Sequence, residues 1–272
     1  TLKVSKQRSV NNLWKPVWGK RAIVPDQYNE LSLDLLGPNV ASLHHLRLMA
    51  RVYNDGVAFR YLIPVEEQHS LMPMGEVTKY NFAGDYTAWF YNFEYPNIGP
   101  EKLTESDSTR YPVMTIKVDN QIYLAVHEAD LETGDPLVLQ SKKGSTSFSV
   151  TSTPGKLVGG YKSAWRVILC GNSPGSLVDS HLIELLNPAA KGDFSWVKPG
   201  VAVWDWRIDG AQLEGFTYGM NYPSWVRMVD FAAKNNIRYL VLDANWYGPE
   251  HEVNSDPVKG DKANDVKKLL RY

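Results

Sequence analysis

The stretch from Val201 to Gly248 constrains this chain most, because its apolar spacing changes twice within a few dozen residues. Val201-Ala-Val-Trp-Asp-Trp206 is a short apolar run ending in aromatics and a carboxylate, which reads as a strand feeding a loop. From Ser224, a candidate cap, Trp225, Met228, Val229 and Ala232 fall at helical spacing with Arg227, Asp230 and Lys234 between them. Ile237-Arg-Tyr-Leu-Val-Leu-Asp243 is almost continuously aliphatic and β-branched, the composition of a parallel strand covered on both sides. Strand, helix and strand in that order open a (β/α) barrel. In such barrels reacting groups lie where strands end, so Asp205, Trp206, Asp243 and Trp246 would share one rim. Aromatic faces and carboxylates together suit a polyhydroxylated ligand, the rings covering C–H faces and the carboxylates accepting hydroxyl hydrogens. The alternative is structural: tryptophans that plug the barrel and aspartates that cap the next helices.

The chain upstream has a different grain. Alternating runs such as Glu30–Leu35, Leu46–Tyr53 and Val57–Ile63 are separated by Pro, Gly and Asn-Asp-Gly56 signals, and the last of these predicts a hairpin. Further strands are expected at Tyr86–Phe93, Val113–Val118, Gln121–His127, Leu137–Leu139, Ser147–Thr151 and Ser163–Cys170. Many short strands with little helical periodicity indicate an antiparallel β-sandwich, with Pro64–Asn81 and Asn92–Pro100 as loops. Leu177, Val178, His181, Leu182, Leu185 and Leu186 then form a helical stripe that stops at Pro188. The organisation expected is therefore multidomain α+β: a sandwich over 1–170, a helical linker over 171–196, and the first β/α units of a (β/α)8 TIM barrel over 197–272. A barrel of this kind takes about 250 residues, and only about 75 follow the linker. The remainder of the barrel is thus the partner this segment calls for.

Composition narrows the function classes. A formal charge of −1 gives no electrostatic case for nucleic acid or an anionic membrane, and no apolar run approaches the ~18 residues of a membrane span. The lone Cys170 excludes a disulfide framework and reads as a small buried hydrophobe. No phosphate loop, zinc motif or Ser/His/Asp triad can be assembled, and His44-His45 reads as a surface pair. Ile122-Tyr-Leu-Ala-Val126 runs into His127-Glu-Ala-Asp130, which places Glu128 at a strand end. There it is either one oxygen ligand of a hard cation such as calcium, which collects ~6–8, or a solvated charge like Asp130.

Several of these segments, in collinear order, resemble glycoside hydrolase family 97, bacterial α-glycosidases of the α-glucosidase and α-galactosidase type. They include Trp14-Lys-Pro-Val-Trp-Gly19, Tyr53-Asn-Asp-Gly-Val-Ala-Phe-Arg-Tyr61, His127-Glu-Ala-Asp-Leu131 and Trp165-Arg166. Leu182-Ile-Glu-Leu-Leu-Asn-Pro188, Ser195–Gly200, Trp204-Asp-Trp206, Asp230–Ala233 and Asp243–Gly248 continue the match. The resemblance implies a β-sandwich on a catalytic barrel, an oligosaccharide substrate, and a bound calcium ion to which Glu128 contributes. It also implies a periplasmic or secreted setting, in keeping with a chain that starts Thr1-Leu-Lys-Val without an initiator Met. Asp205, Trp206, Asn245 and Trp246 would line the sugar site, and the catalytic carboxylates would fall on later strands, so that this segment by itself is catalytically incomplete. Arg207 and Asn245 depart from the family pattern at the expected rim. A rival reading is a non-catalytic carbohydrate-binding sandwich that displays Trp14, Trp18 and Trp89, which are otherwise core residues.

Overall fold

The computed structural model describes residues 2–17, 19–36, 45–64, 75–132, 134–151, 160–243 and 245–272. The chain divides into two units, Thr1–Ala190 and Lys191–Tyr272.

The first unit is built from antiparallel strands: β1 (Leu2–Trp14), β2 (Val24–Leu36), β3 (His45–Tyr53), β4 (Gly56–Leu62), β5 (Lys79–Asn81), β6 (Thr87–Tyr91), β7 (Ile98–Lys102), β8 (Thr109–Lys117), β9 (Tyr123–Ala129), β10 (Leu139–Gln140), β11 (Ser147–Val150) and β12 (Trp165–Gly171). Their hydrogen-bonded order is β1-β2-β3-β4-β12-β9-β8-β10-β11-β5, with β6 pairing β8 and β7 pairing β6. Asn54-Asp55 makes the turn expected between β3 and β4, with Tyr53 opposite Gly56. β8 is shared: Thr109–Arg110 pair with β10, whereas Met114–Lys117 pair with β9. Its register against β6 jumps from Phe90↔Met114 to Tyr91↔Tyr111. A bulge of this kind bends a strand, and here it lets β8 serve two layers.

Between those layers lies one core, with Tyr80, Leu139, Phe148 and Val150 facing Ala88, Phe90, Met114, Ile116 and Val126. Strand alternation sends the neighbouring Ala125 and Ala129, with Tyr53, Ala58, Trp165, Val167 and Leu169, to a second core on the opposite face. Helices α1 (Pro174–Asp179) and α2 (Leu182–Leu186) cover that face, and Leu182 and Leu186 are buried in it. The predicted single helical stripe is therefore two helices, the first capped by Ser173 with Pro174 in its first turn. Both belong to the first unit, which ends at Ala190 inside the segment expected as a linker.

Some expectations fail for identifiable reasons. Strand β1 is not legible in the sequence because Leu2–Trp14 is dominated by Lys, Arg, Ser, Gln and Asn; it is an exposed edge strand, whose charges discourage further pairing. Lys79–Asn81 and residues 98–100, read as loop, belong to the short strands β5 and β7, recruited by pairing with β11 and β6. Cys170, read as buried, is exposed at the end of β12. The readings of Trp18, His44 and most of Pro64–Asn81 fall outside the described residues.

A cross-strand polar ladder crosses the first unit beside the second core. Glu30, 2% exposed, accepts from Arg8 Nε at 2.7 Å and Arg51 Nε at 2.9 Å. The guanidinium groups of Arg51 and Arg60 lie over the ring of the buried Trp165, at 4.8 and 4.7 Å from its centre, and Arg60 pairs with Asp130 at 2.8 Å. Each buried charge thus has a partner, as its desolvation requires. Burial alone would raise the Glu30 pKa, but the two arginines outweigh it and hold the carboxyl below its ordinary value. A depressed carboxyl adds stability above its unfolded pKa and loses it as pH falls through the folded one. Urea unfolding is therefore expected to show stability declining between about pH 5 and pH 3, with a shallower decline in Glu30→Gln. Parallel curves for the two proteins would remove Glu30 as the source.

The second unit contains β13 (Ala202–Trp204), β14 (Gln212–Leu213), β15 (Phe216–Thr217), α3 (Tyr222–Lys234), β16 (Tyr239–Val241) and α4 (Ala263–Leu269). β13 and β16 pair in parallel, with α3 between them in sequence, so the strand–helix–strand expectation holds. Asn221, not Ser224, caps α3: its Oδ1 accepts from the Ser224 amide at 3.2 Å, and the Ser224 hydroxyl donates to the same oxygen. Trp225, Met228 and Ala232 are buried at the helical spacing the sequence predicts.

Candidate functional site

Two groups of side chains bear on the expected chemistry, one in each unit. In the second unit the parallel pair delivers Asp205 and Asp243 to neighbouring strand ends. Asp205 begins a short 3-10 turn over Asp205–Ile208 and is 1% exposed. Its Oδ2 accepts from the Trp225 indole N–H at 2.8 Å, and its Oδ1 accepts from the Asp243 amide at 2.9 Å. Asp243 Oδ2 in turn accepts from the Trp204 indole at 2.5 Å. The carboxylate expected on the sugar wall thus has both oxygens engaged by the protein, joining α3 to the end of β16.

Trp206 and Asn245 are exposed, and Trp246 is half-buried with its ring edge-on to Tyr247 at 5.6 Å. Asn245 has φ +65°, the left-handed region where Asn, Asp and Gly are best tolerated, which accounts for the residue types expected there. Its Oδ1 accepts from the Glu250 amide at 3.3 Å. Arg207, the other departure at the rim, lays its guanidinium over the Trp204 ring at 4.8 Å.

In the first unit Glu128 is not the solvated charge that is one of the two readings of its sequence position. Its Oε2 accepts from the Leu137 amide at 2.7 Å and from Arg166 Nη1 at 3.0 Å. Arg166, 0% exposed, also donates from Nε to Glu76 at 3.0 Å and from Nη2 to the Asp135 carbonyl at 3.1 Å. Asp130 is likewise bound, to Arg60 and Lys162. Burial pushes the Glu128 pKa up, against the pull of the Leu137 amide and the Arg166 charge. Glu76 and Arg166 are the partners that pattern reading missed. A usable signal existed: Arg166 is the one charge in the apolar run Trp165–Cys170, at an inward position.

A calcium ion finds only a partial site in these residues. Glu128 Oε1 has no protein partner among the described residues, so one oxygen is open to a cation, beside a guanidinium that opposes it electrostatically. Among the described residues no group of three or more His, Cys, Asp or Glu is placed to hold a metal. With ~6–8 oxygens needed, they fit one ligand position and no more. No helix among the described residues is long and apolar enough to cross a membrane.

Comparison with known proteins sets these groups in context. The retaining alpha-galactosidase of Bacteroides thetaiotaomicron is 26% identical over 266 residues, an alignment covering 82% of this chain and 39% of that protein. A probable retaining alpha-galactosidase of Streptomyces bingchenggensis is 28% identical over 74% of the chain and 31% of its own length. Among solved structures, a glycoside hydrolase family 97 enzyme variant from a Pseudoalteromonas species, in complex with panose, superposes with a TM-score of 0.73 at 26% identity. That superposition covers 88% of this chain and 39% of the enzyme. The chain therefore spans well under half the length of these relatives. The family model described as Glycosyl-hydrolase 97 N-terminal matches residues 1–188, the strands and both short helices of the first unit, and the chain accordingly belongs to the glycosyl-hydrolase 97 N-terminal family.

Proposed function

We propose that the whole protein is a glycoside hydrolase releasing terminal α-linked sugars from oligosaccharides, with α-galactosides as the first substrates to test and α-glucosides as the second. One observation carries the reading: the similarity to the retaining alpha-galactosidase covers 82% of the chain, more than residues 1–188, and so includes part of Lys191–Tyr272. In this reading β13, α3 and β16 open a catalytic (β/α)8 barrel. In support, β13 and β16 pair only with each other among the described residues, and Val201, Val241 and Phe231 are left exposed. Trp206, Asn245 and Trp246 form part of the sugar wall, and Asp205 orders that wall from behind.

The chemistry is a two-carboxylate hydrolysis, and retention of configuration asks for carboxyl groups ~5–5.5 Å apart. Those two groups are assigned to later barrel strands. Calcium is a proposed cofactor, with Glu128 Oε1 as this chain's contribution and the other ligands from the rest of the barrel. Bound there it would supply fixed positive charge near the reacting centre. A periplasmic or secreted bacterial setting belongs to the same proposal.

The test uses the product of the whole gene. It is expected to cleave a nitrophenyl α-galactoside or α-glucoside with initial release of the α-anomer, and to lose activity on chelation. Glu128→Gln is expected to weaken calcium affinity roughly 10–100-fold. Absence of turnover on both glycosides would sink the hydrolase reading. Unchanged calcium affinity in Glu128→Gln would remove only the ligand assignment.

A further inference from the structure

On the face of the sheet opposite Glu128 lies a recess of about 310 Å³, lined by Trp89 and Tyr91 of β6, Val113 and Thr115 of β8, His127 of β9 and Asn97. Strand alternation separates it from the Glu128–Arg166 pair, since His127 and Glu128 are successive residues of β9. Trp89 sits directly opposite Thr115. The β6 register breaks on both sides of this segment: against β7 between Ala88 and Phe90, and against β8 between Phe90 and Tyr91. Such bulges re-aim side chains.

The loop that brings Asn97 in is held by Asn92 Nδ2 donating to the Pro96 carbonyl at 3.0 Å and by the Tyr95 amide donating to the Asn92 carbonyl at 3.0 Å. Gly99, at φ +109°, passes directly behind the strand; a Cβ there would meet the Ala88 carbonyl at 2.5 Å and Trp89 Cα at 3.1 Å. Backbone packing thus fixes where Trp89 stands.

The polar groups lining this recess are unused. The Trp89 indole N–H, the Asn97 amide and the Thr115 hydroxyl have no hydrogen-bond partner among the described residues, and His127 Nδ1 is buried without one. Buried polar atoms usually find partners, and exceptions call for an explanation. No Asp, Glu, Lys or Arg lines the recess, and burial holds the His127 pKa below its ordinary value, so the imidazole is neutral at neutral pH. An uncharged lining with two aromatic faces and several free donors and acceptors matches a neutral ring that has a C–H face and equatorial hydroxyls. Its volume stands at the lower end of the ~300–1,000 Å³ range of ligand pockets, room for one such ring.

We propose that this recess is a second, non-catalytic binding site for a single pyranose unit, held on Trp89 and Tyr91 with Asn97, Thr115 and His127 as its hydrogen-bond partners. The assignment stands on the recess alone and does not depend on the hydrolase reading.

The experiment is an NMR titration of the product of the whole gene with methyl α-galactopyranoside, methyl α-glucopyranoside and the open-chain polyol galactitol, following the tryptophan indole N–H signals. A saturable shift of the Trp89 indole is expected with at least one pyranoside at a ~millimolar Kd, and none with galactitol, which presents no flat ring face. Asn97→Ala and Thr115→Val, neither of which removes a buried apolar group, are expected to weaken binding about threefold to tenfold each; Trp89→Ala should abolish it. A Trp89 signal that stays still, or binding that ignores both Asn97→Ala and Thr115→Val, overturns the proposal. Shifts confined to the Trp206 and Trp246 indoles would also overturn it while favouring the sugar wall of the second unit.

Discussion

Replacing Arg166 with Met is expected to cost the first unit about 3–5 kcal/mol at neutral pH, the usual consequence of stripping one partner from a buried ion pair. The guanidinium is 0% exposed and serves Glu76, Glu128 and the Asp135 carbonyl at once. A Met side chain fills much of the same volume, so the loss would come from carboxylates left without their cation rather than from a cavity.

Its pH dependence distinguishes the two causes. The Glu128 pKa already lies above its ordinary value, raised by burial. A carboxyl of that kind contributes stability below its unfolded pKa and loses it as pH rises through the folded one. Without Arg166 the folded value climbs further, so the deficit should be largest at neutral pH and shrink toward about pH 4–5. Adding Glu128→Gln to Arg166→Met should recover part of the loss. Urea denaturation across this range is the measurement. A deficit equal at all pH values would mean that packing, not charge, is what Arg166 supplies.

Asp205→Ala should have a comparable effect in the second unit, about 2–5 kcal/mol, because two buried or half-buried donors lose their acceptor and each costs about 1–3 kcal/mol. They are the indole of Trp225, itself 0% exposed, and the amide of Asp243. Asp205→Asn keeps one carbonyl acceptor and should lose less. Trp225→Phe removes one of the donors, so Asp205→Ala should cost less in that background than in the wild type. Hydrogen exchange at the Asp243 amide gives the local readout, and protection should fall in Asp205→Ala. An unperturbed Asp243 amide would show that Asp205 does not order the strand ends, and would reopen its role as a residue facing the ligand.

Together these two predictions separate structural carboxylates from ones available to a ligand. In both units acidic residues at strand ends look alike in the sequence. Glu128 keeps one oxygen open, whereas both oxygens of Asp205 are engaged. That difference comes from which donors the fold brings within reach.

Periodicity and turn chemistry by themselves determined a good deal. Alternating runs, Asn-Asp-Gly56 and the apolar strand at Ile237–Asp243 predict the antiparallel first unit, the β3–β4 hairpin and the parallel β13–β16 pair, because spacing of apolar residues fixes which face a segment buries. Collinear motifs pointed to the family. Only tertiary structure decided the rest. The polar strand β1 exists because β2 supplies its hydrogen bonds, and one predicted helix became two because the chain breaks at Ser180, whose hydroxyl donates to Asp55, and at the buried His181, before Leu182 and Leu186 pack on the sheet. Partners from distant segments are invisible to local pattern, since Arg166 meets Glu76 across 90 positions and Trp225 meets Asp205 across 20. Spacing records what a segment needs to bury; it does not record which remote donor will satisfy a charge once burial is complete.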